Sequence, residues 1–291
     1  MSMQLTILGC GNMGRAILSG VLRAGLVPAQ QVRITSLNAA DAQSMADELG
    51  VQVAASNTEA VQQADVIILA VPDNLVGPVA TQQAVPLARR GALVICLDPA
   101  APSAGVLPQR ADISYFVTHP CHPSVFVRPD NPAALDDYFG GVTAPQHIVC
   151  ALMQGPEKDY ARGEAVARDM FAPVLKAYRV TVEQMALLEP ALSETVAATC
   201  LTVVREAMDE AVRRGVPEEA AREFLLGHIR INLAMFFGVI DTPLSDGAKL
   251  AVARAKQVLF QPDWKERVFA PKAVRESIRA ITQAEAAGRP E

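Results

Sequence analysis

A glycine pattern near the N-terminus restricts the fold of this chain more than any other sequence feature. Gly9, Gly11 and Gly14 form a G-x-G-x-x-G pattern that joins the apolar run Leu5–Leu8 to the helical stretch Met13–Ala24. Glycines at these positions permit a tight strand-to-helix turn and allow backbone N–H groups to approach a pyrophosphate, whose charge the helix N-terminus also favours. The pattern therefore predicts a dinucleotide-binding turn at the start of a βαβ unit.

Short apolar runs alternate with helical stretches from Met3 to about Gly155. We predict strands at Leu5–Leu8, Val32–Leu37, Val66–Val71, Ala92–Leu97, Tyr115–Val117 and His147–Met153. Helices are predicted between the first of them, at Met13–Ala24, Ala40–Leu49 and Glu59–Ala64. Several strands are apolar without alternation, which is typical of parallel strands covered on both faces. This order predicts an α/β fold, with a doubly wound parallel sheet of the Rossmann type.

The second half of the chain has a helical pattern with hardly a strand in it. The predicted helical stretches are Glu157–Ala177, Val182–Arg214, Pro217–Phe237 and Ala248–Phe260. We therefore predict two domains: an NAD(P)-binding Rossmann domain over residues 1–180, and an all-α substrate and dimerisation domain over residues 181–291. The tail from Ala284 to Glu291 is expected to fray.

Composition excludes several classes of function. The formal net charge is −5 and no face is dense in Lys and Arg, so nucleic-acid binding is not expected. No uninterrupted apolar run approaches the roughly 18 residues of a membrane span, so no membrane partner is expected either. The five cysteines are scattered and odd in number, which favours a reducing compartment, and a cytoplasmic location is predicted.

Two turns supply the predicted cofactor ligands. They are the glycine-rich turn and the end of the strand at Val71, with the residues Gly9, Cys10, Gly11, Asn12, Met13, Val71, Pro72 and Asp73. The second strand ends in Thr35-Ser36-Leu37-Asn38, which has neither the acidic residue typical of NAD binding nor an arginine typical of NADP binding. Ser36, Asn38 and Asn57 could bind either ribose, so both cofactors stay open. Asp98 follows the predicted strand Ala92–Leu97, and it is either a turn residue or a residue in contact with substrate.

The segment Thr118–Pro123 is the most unusual in the chain. It contains His119 and His122, two of the four histidines, and each is followed by proline. Proline disfavours a helical conformation in the residue before it, so the segment should be extended, with both imidazoles on one side. His119 is the predicted general base for a substrate hydroxyl, and His122 is a positioning residue. The alternatives are a rigid turn, or a zinc pair completed by Cys121; no metal site is predicted, because a second ligand pair is missing.

Two glutamates open a long apolar helix. Glu189 and Glu194 flank Pro190, and no charge occurs between Glu194 and Arg205, so we expect this helix to be central and buried. A buried carboxylate has a raised pKa, which makes both glutamates candidate catalytic residues. They lie about 140° apart on a straight helix, and both reach one ligand only if Pro190 bends the chain. Helix capping by Glu189 and ion pairing of Glu194 are the alternatives.

The later helices hold weaker candidates and a predicted subunit interface. His228 and Asn232 lie one turn apart on a shared face and are predicted to contact substrate. Lys256 is a further catalytic candidate, although such residues are more often satisfied structural groups. The apolar faces of residues 190–214 and Leu233–Ile240 predict that a second subunit covers them, giving a homodimer.

The residues also resemble known families. The first half is similar to pyrroline-5-carboxylate reductase in Gly9-Cys10-Gly11-Asn12-Met13, Gly25-Leu26-Val27-Pro28 and Ala64-Asp65-Val66-Ile67-Ile68. From about Leu97 the chain instead resembles the D-apionate oxidoisomerase family, which carries a phosphogluconate-dehydrogenase-type C-terminal domain. The matching segments are Asp98-Pro99-Ala100-Ala101-Pro102, His119-Pro120-Cys121-His122-Pro123, Cys150-Ala151-Leu152-Met153-Gln154-Gly155-Pro156-Glu157 and Leu188-Glu189-Pro190. This resemblance implies NAD-linked oxidation of a branched sugar acid coupled to an acyl shift, related in logic to ketol-acid reductoisomerase.

These observations predict an oxidoreductase that uses NAD or NADP and acts on a small hydroxy or sugar acid. His119 would exchange the proton, while His122 and Glu194 orient the substrate. An imine reductase of the pyrroline-5-carboxylate type is the alternative enzyme. A catalytically silent dinucleotide-binding regulator is the alternative outside catalysis, but a regulator would not need the His119/His122 pair.

Overall fold

The computed structural model of the chain describes residues 3–128 and 130–283, so the predicted frayed tail lies outside the described residues. Its strands are β1 Leu5–Leu8, β2 Val32–Thr35, β3 Gln52–Val53, β4 Val66–Leu69, β5 Leu93–Cys96, β6 Ser114–Pro120, β7 Gln146–Gln154 and β8 Val174–Arg179. They form one sheet in the order β3-β2-β1-β4-β5-β6-β7-β8. Strands β1 to β6 pair in parallel, whereas β7 is antiparallel to β6 and parallel to β8. The predicted Rossmann sheet is confirmed, with an antiparallel extension at one edge.

Helices cover both faces of this sheet, which is why its central strands lack polar alternation. Leu5, Ile7 and Ile68 belong to one hydrophobic core, and their neighbours Leu8 and Ile67 belong to the other. The helices on the two faces are α1 Asn12–Ala24, α2 Ala39–Leu49, α3 Asn57–Val61, α4 Asp73–Val79, α5 Ala100–Ser103, α6 Lys158–Met170 and α7 Val182–Ala186. The first core contains residues of α1, α2 and α6, and the second contains residues of α3, α4, α5 and α7. Short 3-10 turns occur at Ala29–Gln31, Val85–Leu87 and Pro132–Leu135, and a π-helical turn at Ala80–Ala84.

One strand departs from the sequence prediction. The pattern predicts a helix over Glu157–Ala177, but α6 ends at Met170 and β8 follows. Pro173 cannot continue a helix because it has no backbone N–H. Leu175 and Tyr178 are both exposed on this edge strand. Its apolar residues therefore do not mark one buried face, and the alternation by which a half-buried strand is identified in a sequence is missing.

The described chain forms two compact units. Of the described residues, the sheet unit runs to Glu189 and also includes 275–283, and the helical unit is Pro190–Val274. The remaining helices are α8 Thr199–Arg213, α9 Glu218–Phe236, α10 Asp246–Leu259, α11 Trp264–Phe269 and α12 Pro271–Gln283. Val182 and Met185 are buried in the second core, which groups α7 with the sheet. The domain limits predicted from the sequence, 1–180 and 181–291, stay a prediction.

The apolar helix that the sequence predicts to be central is exposed in a single chain. Helix α7, a π-helical segment at Leu187–Ala198 and α8 form one continuous helix, Val182–Arg213. Only 11% of its most apolar window is buried. The one buried residue of α8 is Met208, and α9 and α10 have none. Within the described residues this is the one helix that is long and apolar enough to cross a membrane. The expectation of burial is wrong for the single chain, because an apolar pattern does not specify which chain covers it.

Candidate active site

The glycine-rich turn brings backbone atoms too close together for side chains. Gly9 has φ +94°, and a Cβ added to it would lie 2.4 Å from the carbonyl oxygen of Ala70. A Cβ on Gly14 would lie 2.0 Å from the carbonyl oxygen of Gly9. Gly11 differs, because a Cβ there would meet no atom within 4 Å. Gly11 precedes the first residue of α1, so the open space lies where the helix N-terminus attracts an anion.

A cavity of about 360 Å³ extends from this turn along the carboxyl edge of the sheet. Its walls are the glycine-rich turn and the ends of β4, β5 and β6, with the residues Gly11, Asn12, Met13, Leu69, Ala70, Val71, Pro72, Asp73, Val76, Cys96, Leu97, Asp98 and His119. Ligands of open α/β sheets bind at this edge, where the strand order reverses between β1 and β4. The cavity therefore joins most of the predicted cofactor ligands to Asp98 and His119. Cys10 is buried, and burial raises the pKa of its thiol to about 11.

Strand register brings Asp98 and His119 together. Cys96 of β5 pairs with Val117 of β6, so Asp98 and His119 each lie two residues beyond a paired position. Residues of the same parity on neighbouring strands point to the same side of the sheet. The Oδ2 atom of Asp98 lies 3.8 Å from Nδ1 of His119 as a result.

Hydrogen bonding fixes the tautomer of His119. Its Nδ1 lies 2.8 Å from the carbonyl oxygen of Leu97, and because a carbonyl can only accept, Nδ1 carries the hydrogen. The lone pair of a neutral ring is then on Nε2, which lies 3.5 Å from Oε2 of Glu189. Glu189 is the last residue of the sheet unit and stands just before Pro190 in the π-helical segment. No sequence signal points to Leu97, because its contribution is a backbone carbonyl.

Three carboxyl groups surround this one imidazole. The pKa of Asp98 is raised to about 6, mainly by burial and also by the nearby charges of Asp73 and Glu189. The N–H of Ala100, which donates to Oδ1 of Asp98 at 2.7 Å, and the charge of His119 act in the opposite direction. Burial also raises the pKa of Asp73. The site thus has an excess of negative charge in a partly desolvated setting.

The second histidine lies beside the first, but its backbone is not extended. His122 has φ +58°, in the left-handed region, so the expectation of a continuous extended segment is wrong. Its Nδ1 donates to the carbonyl oxygen of Phe139 at 2.9 Å, and its ring packs edge-on against Phe139. These contacts stabilise a turn that the proline rule alone does not reveal. The ring centroids of His119 and His122 lie 6.2 Å apart.

The predicted ribose ligands are linked by hydrogen bonds at the end of β2. Asn38 caps α2 by accepting from the N–H groups of Ala40 and Asp41, and its Nδ2 donates to Oδ2 of Asp41 at 2.7 Å. Asn57 contacts Thr35 at 2.6 Å on the other side of this strand end. The side chain of Ser36 accepts from the N–H of Asn38. Sequence reasoning did not consider Asp41, because it lies beyond the end of β2, in the first turn of α2.

The other sequence candidates belong to the helical unit, which is described by itself. Glu194 is exposed there and so departs from the expected buried setting, since the helix that carries it is uncovered in one chain. His228 stacks on Phe224 with ring centroids 4.0 Å apart, and its Nδ1 donates to the carbonyl oxygen of Phe224. Lys256 is exposed, and Asn232 is half-buried. Their roles stay predictions.

Comparison with known proteins decides the family. Residues 4–99 match the family model described as NADP oxidoreductase coenzyme F420-dependent. Residues 128–282 match the model described as phosphogluconate dehydrogenase (decarboxylating) C-terminal domain. A D-apionate oxidoisomerase from Cupriavidus necator is 48% identical over 272 residues, which cover 94% of this chain and 96% of that protein. The chain belongs to the D-apionate oxidoisomerase family. This family member is an oxidoreductase with an NAD(P)-binding Rossmann fold.

A solved structure agrees with this assignment over nearly the whole chain. It is described as a semialdehyde dehydrogenase NAD-binding protein from Cupriavidus necator in complex with calcium and NAD. It is 46% identical, has a TM-score of 0.90, and the match covers 97% of this chain and 100% of that chain. By contrast, a pyrroline-5-carboxylate reductase from Pseudomonas aeruginosa is 29% identical over 148 residues, or 51% of this chain. The resemblance to imine-reducing enzymes is thus partial, whereas the resemblance to D-apionate oxidoisomerase spans both halves.

The open space at Gly11 generates a clean test of nucleotide binding. Gly11 has φ −70°, so Gly11→Val introduces no backbone strain, and its side chain meets no protein atom at Cβ. We expect the variant to fold normally but to lose NAD(P) binding, because the added side chain occupies the approach to the turn. Calorimetric titration with NAD and NADP measures this loss. Unchanged thermal unfolding is the control, and unchanged nucleotide affinity would contradict the assignment of the turn.

Proposed function

We propose that the chain oxidises D-apionate or a closely similar branched hydroxy acid with NAD and rearranges the product, as the name of its relatives describes. One observation carries the proposal: a single cavity is lined both by the glycine-rich turn and by Asp98 and His119, and Glu189 lies beside His119. A nucleotide phosphate at the turn and a hydroxyl group at the cluster would share one walled space. The cytoplasmic location stays part of this proposal.

The turn fits a dinucleotide because Gly9 and Gly14 keep it tight and Gly11, which has no side chain, leaves the approach to it open. Gly9 and Gly14 close the turn, and the backbone N–H groups at the start of α1 would hold the pyrophosphate. Bound NAD supplies the oxidant, which takes the hydrogen of the reacting C–H bond together with both its electrons. The proton of the hydroxyl group is released, and a carbonyl group forms.

The chain's own residues bind and orient the substrate oxygen. His119 is held by Leu97, so the lone pair of Nε2 has a fixed direction before substrate binds. Preorganisation of this kind lowers the cost of reaching the reactive geometry. Asp98 and Glu189 flank the same imidazole, and we propose that all three groups contact the oxygens of the reacting carbons.

The reaction is tested directly with the purified chain and one variant. We expect D-apionate to reduce NAD, seen as absorbance at the nicotinamide band, and a cyclic imine to leave NADH and NADPH unoxidised. His119→Asn retains a side-chain N–H that can still donate to Leu97 but loses the Nε2 lone pair. It should lower kcat by about 10²- to 10⁴-fold and leave NAD affinity unchanged. A variant that kept more than about a tenth of kcat would remove His119 from the chemistry.

We propose that NAD is preferred to NADP because of Asp41. Its carboxylate is bound to Asn38 at the end of β2, where the adenine ribose of a Rossmann cofactor lies. A hydroxyl group on that ribose could donate a hydrogen bond to an acceptor there. A phosphate at the same position would be repelled by the like charge.

Asp41→Asn should therefore raise NADP affinity by roughly 3- to 10-fold relative to NAD, since an exposed charge contributes modestly. The matched control is Asp47→Asn, because Asp47 is exposed on the same helix and bonds to Gln43. Calorimetric titration with both nucleotides gives the affinity ratio for each variant. An equal ratio in wild type and Asp41→Asn would contradict the role of Asp41.

We propose that a second copy of the chain covers the helical unit. This unit exposes large apolar side chains on three helices, among them Leu201, Phe224 and Leu259. An apolar groove of about 470 Å³ also runs between α8 and α9. A domain needs a buried core, and α9 and α10 provide no buried residue of their own. A two-fold partner would supply the missing cover by self-complementary contact.

Light scattering at micromolar concentration should report the mass of two chains. Leu201→Arg should shift the protein toward monomer, because an unpaired charge in a subunit interface costs several kcal/mol. Leu175→Arg is the matched control, since Leu175 is an exposed leucine of the sheet unit. A monomeric wild-type protein would rule out this assembly.

A further inference from the structure

Asp98, His119 and Glu189 have the composition and spacing of a metal site. Their ligand atoms all lie within 4.8 Å of one another, and each side chain is 19–25% exposed toward solvent. The residues come from three separate elements: the end of β5, the strand β6 and the helix that follows β8. Among the residues that the structure describes, they are the one group with this spacing.

The distance between His119 and Glu189 favours a bridging cation over a hydrogen bond. Because Nδ1 donates to Leu97, a neutral ring directs a lone pair from Nε2 toward a carboxylate oxygen that also carries lone pairs. A protonated ring would form a charge-assisted hydrogen bond of about 2.7–2.9 Å. The observed distance is 3.5 Å. Two atoms bound to one ion at about 2.0–2.2 Å lie roughly 3–4 Å apart, which matches the observed distance.

The hydrogen bonds around the cluster also orient it as a metal site would require. Metal-binding histidines donate their second ring N–H to a carboxylate or a backbone carbonyl, as His119 does to Leu97. Asp98 uses Oδ1 to accept from the N–H of Ala100, which leaves Oδ2 for another partner. Asp73 lines the same cavity and adds a third carboxylate. A dication would balance this negative charge.

We propose that Asp98, His119 and Glu189 bind one divalent cation, whose open positions take the carboxylate and hydroxyl oxygens of the substrate. A donor set of one imidazole nitrogen and two carboxylates suits Mn²⁺ or Zn²⁺. This inference rests on the proposed function and specifies how the site contacts its substrate. The cation lowers the pKa of the hydroxyl group it binds, so that the proton leaves to solvent. His119 is then a ligand, and the general-base role predicted from sequence is replaced.

Manganese binding tests the site without relying on activity. The full chain is stripped with EDTA, freed of chelator and titrated with Mn²⁺, and free Mn²⁺ is followed by electron paramagnetic resonance. We expect one bound ion per chain. Glu189→Gln and Asp98→Asn should each weaken binding at least ~10-fold while NAD affinity and thermal unfolding stay unchanged. Glu183→Gln is the matched control, because Glu183 is exposed on the same continuous helix.

Activity assays separate failure of this inference from failure of the proposed function. Loss of D-apionate oxidation after stripping, restored by Mn²⁺ or Zn²⁺, supports the cation site. Full activity in EDTA, together with equal Mn²⁺ binding by wild type and Glu189→Gln, overturns the site and returns His119 to the general-base role. A chain that binds Mn²⁺ at these residues but oxidises no hydroxy acid supports the cation site and overturns the proposed function instead.

Discussion

The parallel register of β4, β5 and β6 is the constraint on which the candidate site depends. Leu69 pairs with Cys96, and Cys96 pairs with Val117, so the three strands end at one level of the sheet. The residues two positions further on therefore emerge side by side at the carboxyl edge. A slip of one residue would turn Asp98 or His119 to the opposite face. The apolar cores on both faces hold the register, since each strand residue has a core that fits it.

Features that depend on local chain geometry could be predicted from the sequence, and features that depend on distant contacts could not. Gly9 and Gly14 revealed the turn because backbone crowding there excludes other residues, whereas Gly11 leaves open space beside the turn. Asp98 and His119 were placed at the sheet edge because each follows an apolar run. The proximity of Glu189 to His119 needed the packing of α7, about seventy residues later in the chain. The carbonyl of Leu97 carries no sequence signal at all.

Two of the errors of prediction have related physical causes. A proline pattern predicts an extended backbone at His122, but hydrogen bonding to Phe139 favours a left-handed turn. An apolar pattern predicts burial of the helix at Val182–Arg213, yet the helix is exposed in one chain. In both cases the local preference is real, and a contact outside the local segment decides the outcome. For the helix, that contact would come from a second chain.

The Rossmann half explains cofactor binding but not the choice of reaction. A pyrroline-5-carboxylate reductase from Pseudomonas aeruginosa matches this chain over about half of its length. A shared fold supports many reactions, and the residues added at its ligand edge determine the chemistry. In this chain the ligand edge holds Asp98, His119 and Glu189, which bring an imidazole and two carboxylates within 4.8 Å of one another. An imidazole and two carboxylates so close together can bind the hydroxyl groups of a substrate or a divalent cation. We therefore propose that the choice of reaction is made near the ends of β5 and β6, where Glu189 of the long helix lies beside His119 within the sheet unit.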